Sequence, residues 1–521
     1  MSGMSQLLRP STLILAWATI LVLGLVPALL REARTDEAWP LYLAERVLEG
    51  QRHGIDFFEV NPPLFVWLSI PAVLAHRAAG LGPWQAWVLM VGALAFASLL
   101  LTARQLKGLE HSSGRRSGLL LAAGFAVLVL PRLNYSEREH LALILVLPFV
   151  LLAARRASRL GAERGDAALA GLMGGLGFSL KPHFLVTWLL LEVWLARRLG
   201  RASLRRPELG TLVAFGVAYF LSVVLLVPDY FPMALRLAPL YHIYLNNGLA
   251  GALRMAGPWL LLVVGIVTAV RIVAPQPDDL RDALTVAFLG FLLAAILQQK
   301  GLNYHYLSAW GFGVLLLART WQTRPAKILW YPSGLLVRLG FLMLLVILLE
   351  KSSSAGRELS QPKHLRYQPS PEHAELVLLT KRLADGEPII VLSTNPVGGW
   401  PLTLSADAKW ASRYMHFWPL AAFYDHELWS LPPRIVVPRP PAERPAAERR
   451  FHEEIIQDLQ RQRPRLVLVL VPDSTQWGLG GARRFDYLEY FGADPRFRDF
   501  MADYQELPQV GSYRLWTRVD R

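Results

Sequence analysis

Residues 31–66, REARTDEAWPLYLAERVLEGQRHGIDFFEVNPPLFV, decide how the rest of the chain is read. They follow an apolar run, Ser11 to Leu30, long enough to cross the ~30 Å hydrocarbon core of a bilayer as one helix. Asp36 and Glu37 open a segment whose amphipathic part, Trp39 to Leu48, suits a helix lying along a membrane surface. Asp56, Glu59 and Asn61 follow, and Pro62-Pro63 suits the first turn of a next helix. Such a loop brings Asp36 and Glu59 near one another at one membrane face.

Outward from that loop, 53% of the 521 residues are hydrophobic, and apolar runs recur at roughly 82–103, 118–131, 141–154, 168–180, 184–197, 210–227, 257–271, 283–298, 304–318 and 333–350. With the first run they predict a polytopic α-helical membrane protein of about 11 transmembrane helices, because backbone groups in lipid need helical hydrogen bonding. The first run has a short basic start and no small-residue cleavage site, so it reads as a retained helix.

The net charge of +14 does not indicate a nucleic-acid partner, since the basic residues fall in short loops between apolar runs. Alternate connections carry them: Arg104, Lys107, Arg115 and Arg116; Arg155, Arg156, Arg159 and Arg164; Arg197, Arg198, Arg201, Arg205 and Arg206; Arg319, Arg324 and Lys327. Positive loops stay cytoplasmic, which puts the N-terminus inside and everything after Glu350 on the periplasmic or extracellular side of a bacterial inner membrane. The chain thus divides into a membrane domain, 1–350, with its first outer loop at 31–81, and a soluble outer domain, 351–521.

In that tail a polar linker, Lys351 to Pro371, precedes β-like runs at Pro388–Ser393, Arg465–Val471 and Tyr513–Thr517, predicting a small α/β domain. Pro432–Pro445 reads as a surface loop. The absence of cysteine excludes disulfides and thiol catalysis. There is no Walker-type loop, no Asp-x-Asp pair and no internal repeat. Gly171, Gly174, Gly175 and Gly177 lie within an apolar run and favour close helix packing over phosphate binding.

With this topology the chemistry gathers on the outer side. Besides the first loop, one outer connection carries Asn134, Tyr135, Glu137, Arg138, Glu139 and His140, and another the Lys181-Pro182-His183-Phe184 corner. A later one runs from Gln298 through Lys300, Tyr304 and His305 to Tyr306. Ionisable groups at membrane depth are costly and mark a site or pathway. Each also has a plainer use: Asp36 and Glu37 as helix caps, Glu59 paired with Arg34 or Arg52, Lys181 snorkelling, Arg138 paired with Glu137 or Glu139. Glu59, His140, His183 and His305 could together take a divalent metal, though none shows dedicated ligand spacing.

An acid just after the first helix, an interfacial helix, and then aromatic-Glu-x-x-Pro-Pro-Leu resemble the membrane glycosyltransferases of the C superfold (GT-C). That group includes protein O-mannosyltransferases and aminoarabinose transferases. The motif match covers about residues 31–66, while the many-helix body and outward tail agree with it. The resemblance implies a sugar donor on polyprenyl phosphate and an inverting displacement, with Asp36 at the position of the general base and Glu37 beside it. Lipid, glycan or protein would be the acceptor, and membrane lipids the surroundings. Glu59, Asn61, Tyr304 and His140 would then contact substrate. Arg138, Lys181 and Lys300, helped by His183 and His305, would meet the departing phosphate, where negative charge grows. Val60-Asn61 departs from the Lys that follows the Glu in aminoarabinose transferases, which weakens lipid A as acceptor. A lipid-linked glycan flippase, or a polymerase using a pyrophosphate carrier, are the competing readings; the first would need midplane polar residues and inverted repeats.

Overall fold

The computed structural model describes residues 10–273, 276–323, 342, 371–424, 436–474 and 485–519. The chain forms two compact units, one from residues 1–31, 75–222 and 248–365, the other from 32–74, 223–247 and 366–521.

The first unit is a helix bundle. It contains α1 (Pro10–Leu30), α4 (Pro83–Leu109), α5 (Ser113–Gly124), α6 (Arg138–Ala157), α7 (Arg164–Ser179), α8 (Leu185–Leu199), most of α9 (Pro207–Leu226), α11 (Gly248–Val273), α12 (Asp279–Leu297) and α13 (Leu307–Thr323). α6 lies at its centre: every residue from Glu139 to Ala154 is buried, and it packs on α4, α7, α12 and α13. By contrast α1, α4 and α9 expose large apolar side chains such as Ile14, Phe96 and Phe220, as lipid-facing helices do. The glycines of α7 serve packing. A Cβ on Gly174 would stand 3.0 Å from the Phe149 ring, and one on Gly177 2.7 Å from Val146.

Among the described residues, ten of the eleven apolar runs coincide with helices; 333–350 lies outside them apart from residue 342. Of the helices among the described residues, five, α1, α4, α6, α9 and α12, are long and apolar enough to cross a membrane. The run 118–131 is split, α5 passing into a widened π-turn at Phe125–Val129.

The basic connections meet at one end of the bundle, neutralised by acids from neighbouring turns. Arg319 pairs with Glu110 at 2.5 Å and Asp278 at 2.9 Å, Arg156 with Glu208 at 2.9 Å, and Arg104 with Asp166 at 2.8 Å.

The second unit joins α2 (Thr35–Leu48), the body of α3 (Leu64–Ala79) and α10 (Tyr230–Ile243) to the tail. α3 begins just after Pro62-Pro63, where a helix start was expected, though Pro71, His76 and Arg77 interrupt its apolar pattern; α10 was not foreseen, because Arg236, Pro239 and His242 interrupt its own. The tail holds a five-stranded sheet in the order β2-β1-β3-β5-β4, with β1 (Pro388–Leu392), β2 (Lys409–Trp410), β3 (Leu466–Leu470), β4 (Tyr504–Val510) and β5 (Tyr513–Arg518). β1 is parallel to β2 and β3, whereas β5 is antiparallel to both β3 and β4. All of β3 is buried, which explains its unbroken Leu-Val-Leu-Val-Leu. The three β-like runs become β1, β3 and β5. β2 is only two residues, and β4 is a polar edge strand bearing Gln505, Glu506 and Pro508, so neither shows an apolar run. The expected Pro-rich loop is described only from residue 436, where it is irregular apart from a turn at Pro441–Glu443.

Candidate functional site

The first loop is built around two carboxylates with different duties. Arg34 is extended (φ −90°, ψ 174°), and its N–H donates to Glu37 Oε2 at 2.7 Å, capping α2. Glu37 is thereby buried and committed to the cap, while Asp36, in the same first turn, stays half-buried. One helical turn on, Trp39 shares a face with Asp36 and donates from Nε1 to Glu59 Oε2 at 2.9 Å. The other Glu59 oxygen, Oε1, accepts from Asn61 N at 2.8 Å and Asn61 Nδ2 at 2.6 Å. Buried Glu59 therefore organises the loop that the sequence offered as a substrate contact, and Asn61 is its hydrogen-bond partner.

The rest of the loop is fixed within its own unit. The His53 ring lies 2.8 Å from the Glu59 carbonyl, and burial holds His53 below the usual imidazole range. Tyr230 Oη donates to the Val60 carbonyl at 3.1 Å. Gly54 adopts φ +90° with its backbone against the Asp229 carbonyl, where a Cβ would collide. α2 does not keep the half-exposed face of a surface helix: Ala38 to Ala44 are buried. Trp39 and Tyr42 each pack 5.0 Å from Trp400, and the Tyr42 hydroxyl accepts from Trp410 N at 2.7 Å.

In the bundle, the end opposite the basic turns gathers the other candidates. Lys181 is the extended residue between α7 and a short turn, Pro182–Phe184, that leads into α8. Its ammonium is buried and donates to Glu139 Oε1 at 2.6 Å and Gln298 Oε1 at 3.2 Å, with the Tyr304 ring 5.9 Å away. Glu139 sits in the first turn of α6, and its carbonyl accepts from Ser308 Oγ at 2.5 Å. Positive φ at Gln299 and Gly301 turns the chain from α12 into the Asn303–Tyr306 turn that carries His305. His305 is buried within electrostatic reach of Lys181, Lys300, His183 and Arg138. Three connections thus bring Arg138, Lys181, His183, Lys300, Tyr304 and His305 together.

His140 is occupied elsewhere. Its Nδ1 accepts from Ser136 N at 2.8 Å, which fixes the proton on Nε2, and Nε2 donates to the Val127 carbonyl at 2.6 Å. Both ring nitrogens are thus hydrogen-bonded inside the bundle. Among the described residues no three His, Asp or Glu side chains gather as a metal site requires. Glu139 and Gln298 were missed as members of the cluster. Their positions at helix ends in the right loops were visible, but their partnership with Lys181 was not.

The architecture, a helical bundle carrying a small mixed sheet, is GT-C-like, and the chain is a membrane protein. The resemblance read from residues 31–66 therefore extends to the fold. Comparison of sequences finds no matching family model and no matching curated protein. Comparison of structures finds ArnT from Cupriavidus metallidurans in the apo state, at 13% identity and a TM-score of 0.54, covering 97% of each chain. The mycobacterial arabinofuranosyltransferase AftD matches at 15% identity and TM-score 0.49, over 99% of this chain and 40% of its own. The Archaeoglobus fulgidus oligosaccharyltransferase matches at 10% identity and TM-score 0.49, over 98% of this chain and 74% of its own.

Proposed function

We propose that the chain is a membrane glycosyltransferase that moves a sugar from a polyprenyl-phosphate carrier to the hydroxyl of a lipid, glycan or protein acceptor. It works at the periplasmic or extracellular face of a bacterial inner membrane, with the N-terminus cytoplasmic. The observation that carries this reading is the gathering of Arg138, Lys181 and Lys300 around His305 at one end of a bundle with a GT-C-like fold. Cationic groups buried at a helix-bundle end are costly unless they meet anions, and Glu139 is one fixed anion beside them. A departing lipid phosphate is a further anion that they can meet.

The Asp36 carboxylate takes the proton of the acceptor hydroxyl. The new bond from acceptor oxygen to the anomeric carbon forms as the bond to the phosphate oxygen breaks, with inversion. The phosphate leaves with the electron pair, and the cationic cluster receives the charge. His183 and His305 can each offer an N–H to it. Glu37 and Glu59 hold α2 and the loop so that Asp36 keeps its position, a positioning role.

The test is donor consumption by purified protein given radiolabelled polyprenyl-phosphate sugars, wild type beside Asp36→Asn. Loss of about 10²–10⁴-fold is expected from removing a general base. A wild type that consumes none of these donors, or an Asn variant of equal activity, overturns the reading.

A further inference from the structure

The second unit contains a cavity of about 170 Å³ that the proposed chemistry does not use. It lies between α2, the loop at 51–57, β2 and the end of the helix Ala446–Gln462. Four aromatic rings, Trp39, Tyr42, Phe57 and Trp410, form its apolar surface. Around them stand Gln51, Lys409 and Gln462, whose side-chain polar groups have no hydrogen-bond or ion-pair partner among the described residues. Lys409 is exposed, so its ammonium is available to a ligand at little desolvation cost. Of the charged lining groups, Arg46, Lys409 and Arg461 are cations and only Asp56 is an acid. Arg46 is already paired with Glu49 at 2.6 Å, and Arg461 is held loosely by Asp56 at 3.5 Å.

The geometry points to a subsite for a single sugar unit that carries a negative substituent, a carboxylate or a phosphate. The cavity, about 170 Å³, has room for one sugar ring. Aromatic faces take the apolar C–H face of a sugar, the free amides of Gln51 and Gln462 take its hydroxyls, and Lys409 with Arg461 selects the charge. Trp39 belongs both to this wall and to the hydrogen bond that holds Glu59. A ring bound here therefore rests against the residue that orders the first loop. Assigning this sugar to the acceptor rests on the glycosyl-transfer reading; what the cavity binds does not.

The test is direct binding to the full-length protein in detergent, by titration calorimetry and saturation-transfer NMR, with no donor present. D-glucuronate and glucose 6-phosphate are compared with D-glucose and with inorganic phosphate. Both charged sugars are expected to bind at least tenfold more tightly than glucose and than inorganic phosphate, and Lys409→Glu to abolish the preference. Gln462→Ala should weaken both sugars alike. Equal binding of glucose, equal binding of inorganic phosphate, no binding by any probe, or a Lys409→Glu variant that behaves as wild type each overturns the inference. Charged-sugar binding by a protein that consumes no polyprenyl-phosphate donor would instead sink the transferase reading and leave the subsite standing.

Discussion

Replacing Lys181 by Met tests the bundle's cationic cluster at a buried point. The side chain keeps its approximate length but loses the ammonium, stranding the Glu139 carboxylate whose nearest oxygen had been 2.6 Å from Nζ. The two side chains are only 9% and 1% exposed, so water cannot compensate. Gln298 turns its carbonyl oxygen toward Lys181 and offers Glu139 no replacement charge. Deleting one partner of such a buried pair costs about 3–5 kcal/mol. At roughly 2–4 °C per kcal/mol for a unit of this size, the melting temperature in detergent should fall by about 6–20 °C. Adding Glu139→Gln removes the stranded charge, and the double variant should recover most of that loss. Donor consumption separates structure from chemistry: the double variant should be stable yet much less active, because the Lys181 ammonium no longer meets the leaving phosphate and only Arg138 and Lys300 remain. A single variant that melts with wild type refutes the buried pair. A double variant with wild-type turnover refutes the role of Lys181 in the reaction.

Two further outcomes follow from the second unit. Asp458 is fully buried and accepts from Arg413 N at 2.9 Å, Nε at 3.0 Å and Nη2 at 2.7 Å, while the Arg413 carbonyl accepts from Phe58 N in the first loop at 2.6 Å. Asp458→Asn should cost about 3–5 kcal/mol in chemical denaturation, and Arg413→Lys should fail to reproduce the fork; a wild-type midpoint for Arg413→Lys would contradict this. His416 is pushed down to about 3 by burial, against a hydrogen bond to the Thr394 backbone that acts the other way. Its folded value lies below the unfolded one near 6.5, so the stability it contributes is complete above that pH and is lost as pH falls toward 3. The slope is up to about 1.4 kcal/mol per pH unit. Denaturation midpoints should fall more steeply between these limits for wild type than for His416→Asn, and parallel profiles would remove His416 as the cause.

What the sequence made legible were features with local causes. Helices such as α1, α4 and α12 are written in uninterrupted apolar runs, since a chain in lipid has no other way to satisfy its backbone. The one-sided spread of Arg138, Lys181 and Lys300 was legible too, because alternating basic turns fix which helix ends share a face. What stayed hidden depends on partners distant in sequence. Tyr42 is buried by Trp400 and hydrogen-bonded to Trp410, 368 residues on, so the pattern of α2 alone reads as a surface helix. Glu139 looked like a local partner for Arg138, yet it meets Lys181 and, through Lys181, Gln298. His140 displayed an imidazole in a promising loop, and only the fold reveals a carbonyl 13 residues earlier claiming its proton.

The second unit is assembled from three stretches, residues 32–74, 223–247 and 366–521. During synthesis the first stretch is made long before Trp400, Trp410, Arg413 or the helix Ala446–Gln462 exists. Trp39, Tyr42 and Phe58 must wait uncovered for those partners, and closing so long a loop is slow compared with forming a helix. Asp36 is therefore not held in its final setting on a nascent chain. Quality control is built into this connectivity: a ribosome that stops early leaves an aromatic, unfolded loop for proteases to find, and only a finished chain carries an ordered one.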